Sequence, residues 1–304
     1  MHLLSVIVAS ILSFLNFNQL AAASAAFFDV HQTGPQATIL FAGDMMFDRS
    51  IRMVVEKKGG HFIFFCVDAT LRGADLVVAN LEGPITDKKS LSVGSKPGEP
   101  RNFVFTFPKS TAKLLKDHHI DMVNLGNNHI LNFGYDGARS TIVALDAADV
   151  AHFGDPVHFG VATTSINGIA LAFINYNEFG GKASTTRQQI AAAKSAGFLP
   201  IVYAHWGVEY EPIAPAYIRT LAHSFVDAGA IAVIGSHPHV VEDNETYQGV
   251  PIYYSLGNFI FDQYFQESVR NGLLLKLTFD EEGVSAIQDI PIELNRDWTV
   301  CPVE

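Results

Sequence analysis

The chain has 304 residues, 48% of them hydrophobic, and a formal net charge of -11. That length and apolar content are enough for one sizeable core. An acidic chain without a Lys/Arg cluster argues against a nucleic-acid or anionic-membrane surface, so an acidic polymer would have to be held by local charges or by metal.

The N-terminus opens Met1-His2, continues with a mostly apolar run over 3–17, and then has small residues over 21–26. This pattern predicts a signal peptide over 1–25, cut after Ala23 or Ala25, or else an uncleaved N-terminal anchor. The apolar run is too short for a comfortable membrane span. A single globular domain is expected over 27–304.

Within that domain, short apolar runs alternate with helical stretches. Strands are expected at 38–42, 74–79, 102–107, 121–125, 168–174, 199–204 and 230–234. Helices are expected at 51–57, from Ser110 as cap to about 118, at 136–148, at 185–196 closed by Gly197, and at 214–228 closed by Gly229. The stretch 90–100, rich in Gly, Pro and Ser, reads as an exposed loop. An antiparallel hairpin is expected at the end, 272–279 with 284–294, around the turn at 280–283. Cys66 and Cys301 can pair or stay as separate thiols, and neither has the spacing of a Cys-based metal site.

Strands alternating with helices imply an α/β fold with a largely parallel sheet, whose ligands sit at the carboxyl ends of the strands. Those ends carry Asp44, then Asn80 with Glu82, then Asn128 with His129, then His205, and finally His237 with His239. Each has a plainer reading taken alone: Asp44, Asn127 and Asn128 as turn residues, Glu82 as a solvated charge, His205 as a packed ring. The repetition at five strand ends points to a metal centre. Carboxylates, amide oxygens and imidazoles without thiolates favour divalent Mn, Fe or Zn. The set is large enough for one or two ions and for hydrolysis of a phosphoester or of a substrate passing through a tetrahedral intermediate. Asn127, Glu209 and Asn258 are candidates for supporting the ligands from behind, and Asp262 and Gln263 either do the same or cap a strand end.

Six segments then carry a resemblance: 43–49 (GDMMFDR), 80–84 (NLEGP), 126–129 (GNNH), 205–210 (HWGVEY), 235–239 (GSHPH) and 255–259 (SLGNF). In this order, over about 38–263, they resemble the CapA family of poly-γ-glutamate capsule synthesis proteins, a branch similar to calcineurin-type metallophosphoesterases. The resemblance implies a metallophosphatase-like four-layer sandwich of two mixed β-sheets flanked by helices. It also implies a secreted or extracytoplasmic location, an anionic polymer (poly-γ-glutamate) or phosphoester as substrate, and membrane synthase subunits as partners. Carried over by motif, Asp44, Glu82, Asn128, His205, His237 and His239 resemble metal ligands. His129 resembles the acid that protonates a leaving group, and Arg49 a holder of an anionic substrate. Two departures stand out. Metallophosphoesterases begin Asp-x-His, where this chain has Met46, and they carry Gly-Asp where this chain has Asn80-Leu81-Glu82. The bridging role therefore falls to either Asn80 or Glu82. The competing functions are a metal-dependent hydrolase or transferase, a non-catalytic polymer-binding or export subunit, and a phosphodiesterase unrelated to capsule.

Overall fold

The structure, a computed structural model, describes residues 34–303. The expected signal peptide or anchor lies outside the described residues. Fourteen strands are described: β1 (Ala37–Met45), β2 (Leu76–Leu81), β3 (Met122–Asn124), β4 (Ala151–Phe153), β5 (Ala162–Ile166), β6 (Ile169–Asn177), β7 (Leu199–His205), β8 (Ala232–Ser236), β9 (Asn244–Tyr247), β10 (Val250–Tyr253), β11 (Asn258–Ile260), β12 (Asn271–Phe279), β13 (Val284–Leu294) and β14 (Val300–Pro302). The helices are α1 (Arg49–Lys58), the short α2 (His61–Phe64) and α3 (Asp68–Leu71), α4 (Ser110–Asp117), α5 (Gly134–Ala147), α6 (Ala183–Ser195) and α7 (Ala216–Asp227).

The strands form two mixed sheets, as the resemblance implies. The first runs β14-β13-β12-β1-β2-β3-β4, with β11 also paired to β1; the second runs β5-β6-β7-β8-β10-β9. Strands β1 to β4 are parallel, as are β6, β7, β8 and β10. The strand period of two sends successive side chains into different layers. In β1, Ile39 and Phe41 meet Phe173, Tyr203 and Ile234 of the second sheet, while Leu40 and Ala42 face Ile51, Leu115 and Leu145 of the helices. On the far side, Ile174, Val202 and Val233 pack against Ile190 of α6 and Ile218 and Phe225 of α7. Three apolar interiors thus separate four layers, helix, sheet, sheet, helix.

Several local expectations need correction. The stretch 102–107 is not a strand: Pro100–Phe103 is a 3-10 helix, and Phe107 makes only an isolated bridge to Ile85. Ser110 does not cap α4; it is the first helical residue, and the preceding Lys109 makes no side-chain cap. Strand β8 continues through Gly235-Ser236, because Gly235 lets it pass close to its neighbour. A Cβ there would lie 1.8 Å from the Tyr254 carbonyl oxygen. Gly43 does the same in β1, at 1.9 Å from the Gly257 oxygen. β4, β5 and the β9–β10 hairpin carry no signal in the expected list. β4, β5 and β9 are short or half-exposed edge strands that no apolar run marks, whereas β10 is a buried interior strand of only four residues. Cys66 and Cys301 form a disulfide that ties the segment between α2 and α3 to β14.

Candidate metal centre

The parallel strands of both sheets end at one place, and their carboxyl ends bring Asp44, Glu82, Asn128, His129, His205, His237 and His239 together. One ligand atom each from Asp44, Glu82 and His239 lies within 4.8 Å of the others, and all three residues are buried. His239 Nδ1 is 3.4 Å from Asp44 Oδ2, and its Nε2 is 3.7 Å from Glu82 Oε1. His129 Nε2 also stands 3.7 Å from Glu82 Oε1. The second group is His205, whose Nε2 lies 3.0 Å from Asn128 Oδ1. The His237 ring sits beside it, with centroids 4.8 Å apart.

The backbone is bent to deliver these side chains. His237 and His239 have φ of 100° and 59°, and Tyr210 and Arg49, which border the centre, have 68° and 46°. Left-handed non-glycine residues cost on the order of 1–3 kcal/mol each and persist where surrounding structure over-determines them. Here the His237 N–H donates to Asp44 Oδ2 at 3.0 Å, and the Tyr210 N–H to the Pro238 carbonyl at 2.8 Å.

Hydrogen bonds behind the ligands fix which atom of each faces inward. Asn258 Nδ2 donates to the His239 and Val269 carbonyls and to Gln263 Oε1, so its Oδ1 is the atom that takes His239 Nδ1–H at 3.0 Å. His239 Nε2 is then left with its lone pair toward Glu82. Asn128 Oδ1 can only accept, so His205 donates its Nε2–H to it at 3.0 Å, and its Nδ1 lies 3.3 Å from the donor Asn80 Nδ2 and 3.0 Å from Ser236 Oγ. Asn127 Oδ1 accepts the backbone N–H groups of His129 and Ile130, so its Nδ2 donates to Asn80 Oδ1, joined there by Asn124 Nδ2. Asn80 consequently turns its Nδ2 to Asp44 Oδ1, at 2.7 Å. This corrects the expectation that Asn80 is a metal ligand: its oxygen is consumed by two amides, and it orients Asp44 instead. Met46, two residues after Asp44, is fully buried, and its sulfur takes the Asp48 N–H, so it offers nothing to an ion.

Glu209 also departs from expectation. It is exposed beside Tyr210, where, after burial, its charge holds the phenol above its ordinary value. Arg49 is half-buried between the Phe105 and Phe261 rings, with its guanidinium 5.1 and 5.4 Å from their centroids, and it is ion-paired to Asp262 at 2.5 Å. It is a wall of the site already committed to a carboxylate. The sequence reading missed Ser236, Asn124, Asn132 and Phe105. The first three sat inside or beside quoted motifs as ordinary polar residues. Asn132 Oδ1 takes His129 Nδ1 at 3.1 Å, and the Phe105 ring lies 4.4 Å from the imidazole.

The electrostatics calls for a cation. Both Glu82 oxygens and His237 Nδ1 are buried and have no hydrogen-bond partner among the described residues. Burial, with the Asp44 charge second, pushes the Glu82 carboxyl well above its ordinary value. Burial would raise Asp44 too, but the hydrogen bond and charge of His239, with His205 and Asn80, bring it to about 2. Burial pushes His237 down to about 3, His129 to about 4, and His205 well below the usual imidazole range. A fully buried carboxylate without a donor is costly unless paired with positive charge. Neutral imidazoles and buried carboxylates converging on one point fit a divalent ion, held by Asp44, Glu82 and His239 with His205, His237 and Asn128 alongside.

Comparison with known proteins follows the same motifs. A family model described as bacterial capsule synthesis protein PGA_cap matches residues 38–263. The chain is 29% identical over 284 residues to the PGA biosynthesis protein CapA of Bacillus subtilis (strain 168), covering 87% of this chain and 73% of that one. It is 28% identical over 289 residues to the capsule biosynthesis protein CapA of Bacillus anthracis, covering 87% and 69%. It is also 28% identical over 260 residues to a probable polyglutamine synthesis accessory protein of Mycobacterium tuberculosis, covering 73% and 67%.

Proposed function

We propose, on the premise that the chain belongs to the PGA_cap family of bacterial capsule synthesis proteins, that it is an exported metal-dependent hydrolase or transferase acting on an anionic polymer of the poly-γ-glutamate type. The observation that carries this reading is Glu82: a fully buried carboxylate with two unpartnered oxygens, facing the lone pair of His239. A grip for polymer alone has no use for such an arrangement.

When bound, a divalent ion supplies Lewis-acid charge, acidifying water and stabilising a developing oxyanion. Asp44, Glu82 and His239 would hold it, with Asn80 and the His237 N–H keeping the Asp44 carboxylate in orientation. His129 has its Nδ1 proton tied to Asn132, so Nε2 faces the centre as a proton acceptor. It can take a proton from water or a substrate hydroxyl and return it to a leaving group, a role contributing about 10²- to 10⁴-fold. Phe105 and Phe261 exclude water from that side, and the Arg49–Asp262 pair holds the wall in place.

Two features support the export part. The small-residue run over 21–26 has the form of a cleavage site, and the Cys66–Cys301 disulfide suits an oxidising compartment. No described helix is long and apolar enough to cross a membrane.

The test is metal content of the purified protein, paired with turnover of poly-γ-glutamate and of a chromogenic phosphodiester. The double variant His237→Ala, His239→Ala should lose the bound ion and the turnover while keeping its fold, since β8 before the loop is untouched. Full metal stoichiometry in that variant would place the ion elsewhere. N-terminal sequencing of secreted protein should begin near Ser24 or Ala26; an intact Met1 would remove cleavage.

A further inference from the structure

The metal centre does not lie at the bottom of a single hole; clefts reach it from two sides. One, of about 560 Å³, is bounded by Arg49, Tyr210 and Asp262 and by the apolar Met53, Phe103 and Phe265. It abuts the centre through Tyr210, whose ring lies 6.1 Å from that of His239. On the other side a cleft of about 250 Å³ begins at Asn127 and Asn128. It shares Gly154, Phe159, Asn175, Asn177, Gly180 and Gly181 with a third cleft of about 410 Å³. That third cleft runs on to Lys182, Thr185, Thr186 and Gln189. The second and third clefts form one trench from the Asn128 ligand to Lys182.

The two sides differ in charge. On the Arg49 side the cation is already neutralised by Asp262. The trench has no acidic residue in its lining among the described residues, although the chain carries 31 Asp and Glu against 20 Lys and Arg. Its polar wall is made of amides and hydroxyls, and its far end carries the Lys182 ammonium. Lys182 is exposed and has no ion-pair or hydrogen-bond partner through its side chain among the described residues. Two carboxylates stand behind the wall: Asp155 is buried and occupied by the Val157 and His158 N–H groups and the His158 ring, and Glu178, between the lining residues Asn177 and Phe179, accepts the Gly207 N–H at 2.7 Å. An uncompensated cation at the end of an acid-free channel raises the local concentration of anions against the overall field.

From this geometry we infer that the trench is an extended subsite, and that Lys182 binds an anionic group of a substrate several units away from the reacting bond. The reacting bond lies at the metal centre, the apolar cleft takes the chain on the other side, and Lys182 selects long anionic substrates over short ones. This rests on the proposed function for the location of the reacting bond, but the binding itself does not require turnover. Lys182 acts through specificity and does not touch the reacting atoms.

The experiment compares wild type, Lys182→Arg, Lys182→Ala and Lys182→Glu in the full chain. Equilibrium binding is measured by fluorescence anisotropy with a labelled γ-linked glutamate oligomer of about ten units. The neutral glutamine oligomer of the same length is the control. A single half-solvated ion pair corresponds to a loss of about threefold to fivefold for Lys182→Ala, and reversal to about tenfold for Lys182→Glu. Lys182→Arg should restore wild-type affinity, and the neutral oligomer should bind all four proteins alike. In turnover assays KM for the oligomer should rise in the same order at constant kcat, with a small chromogenic phosphodiester unaffected. Equal affinity of wild type and Lys182→Glu for the acidic oligomer overturns the inference, as does an equal loss with the neutral oligomer. A protein that binds with this Lys182 dependence but turns over nothing removes the hydrolase reading and leaves the subsite standing.

Discussion

Replacing Glu82 by Gln should stabilise the metal-free protein and weaken the metal-loaded one. Glu82 is fully buried, with neither oxygen given a donor, and burial together with Asp44 holds its carboxyl well above 4.5. The unfolded chain releases this proton near pH 4.5, whereas the metal-free native state keeps it. Above pH 4.5 the native state is therefore the one with more protons bound. Its stability falls as pH rises, by about 1.4 kcal/mol per pH unit, until the folded pKa is passed. Glu82→Gln removes that slope. The gap in favour of the variant should therefore widen as pH rises above 4.5, until the folded pKa of Glu82 is passed. Urea unfolding in the presence of a chelator at three pH values measures it. Repeating the titration with divalent metal at about a hundred times its Kd should give wild type about 2.7 kcal/mol and the variant little, reversing the order. A variant less stable than wild type in chelator by a pH-independent amount would mean that the carboxylate already has a partner in the native state. Equal gains from metal would remove Glu82 as a ligand.

Two further substitutions separate roles inside the centre. His129→Ala should lower turnover by about 10²- to 10⁴-fold on substrates with poor leaving groups and little on acidic ones, with metal content near normal; a loss independent of leaving-group pKa, or a loss of metal, would make it a packing residue or a ligand. Asn258→Ala frees the His239 ring, and competition with a chromophoric chelator should show metal affinity falling about 10- to 100-fold while the fold holds; unchanged affinity would mean that Tyr210 and Phe261 alone orient the imidazole.

The parallel core and the residues at its strand ends were legible because both follow from local pattern. Apolar runs of five or six residues mark β1, β2, β7 and β8, and each is followed directly or after a glycine by a polar residue that the strand direction carries to the same edge. What depended on distant partners was not legible. Asn80 and Asn128 look alike in the sequence. Only the chain of amides from Asn127, anchored on two backbone N–H groups, turns the Asn80 oxygen away from the centre and leaves the Asn128 oxygen beside His205. Arg49 reads as a free cation until Asp262, 213 residues later, is brought against it. The stretch 102–107 has the composition of a strand, but no sheet edge is within reach of more than Phe107. The pairing of the two cysteines lies across 235 residues and has no local signature.

That disulfide has a consequence for how the molecule is made. Cys301 lies in β14, the last strand of the first sheet, so the covalent ring it closes with Cys66 encloses the whole second sheet and all strands of the first except β1. The ring cannot close until every one of those elements has been synthesised. Any part of the fold that forms before the chain has been made as far as Cys301 is therefore held noncovalently. A cross-link over so long a loop chiefly restricts the unfolded chain. Reducing it should leave the centre's geometry intact while making the opened molecule easier for a protease to find.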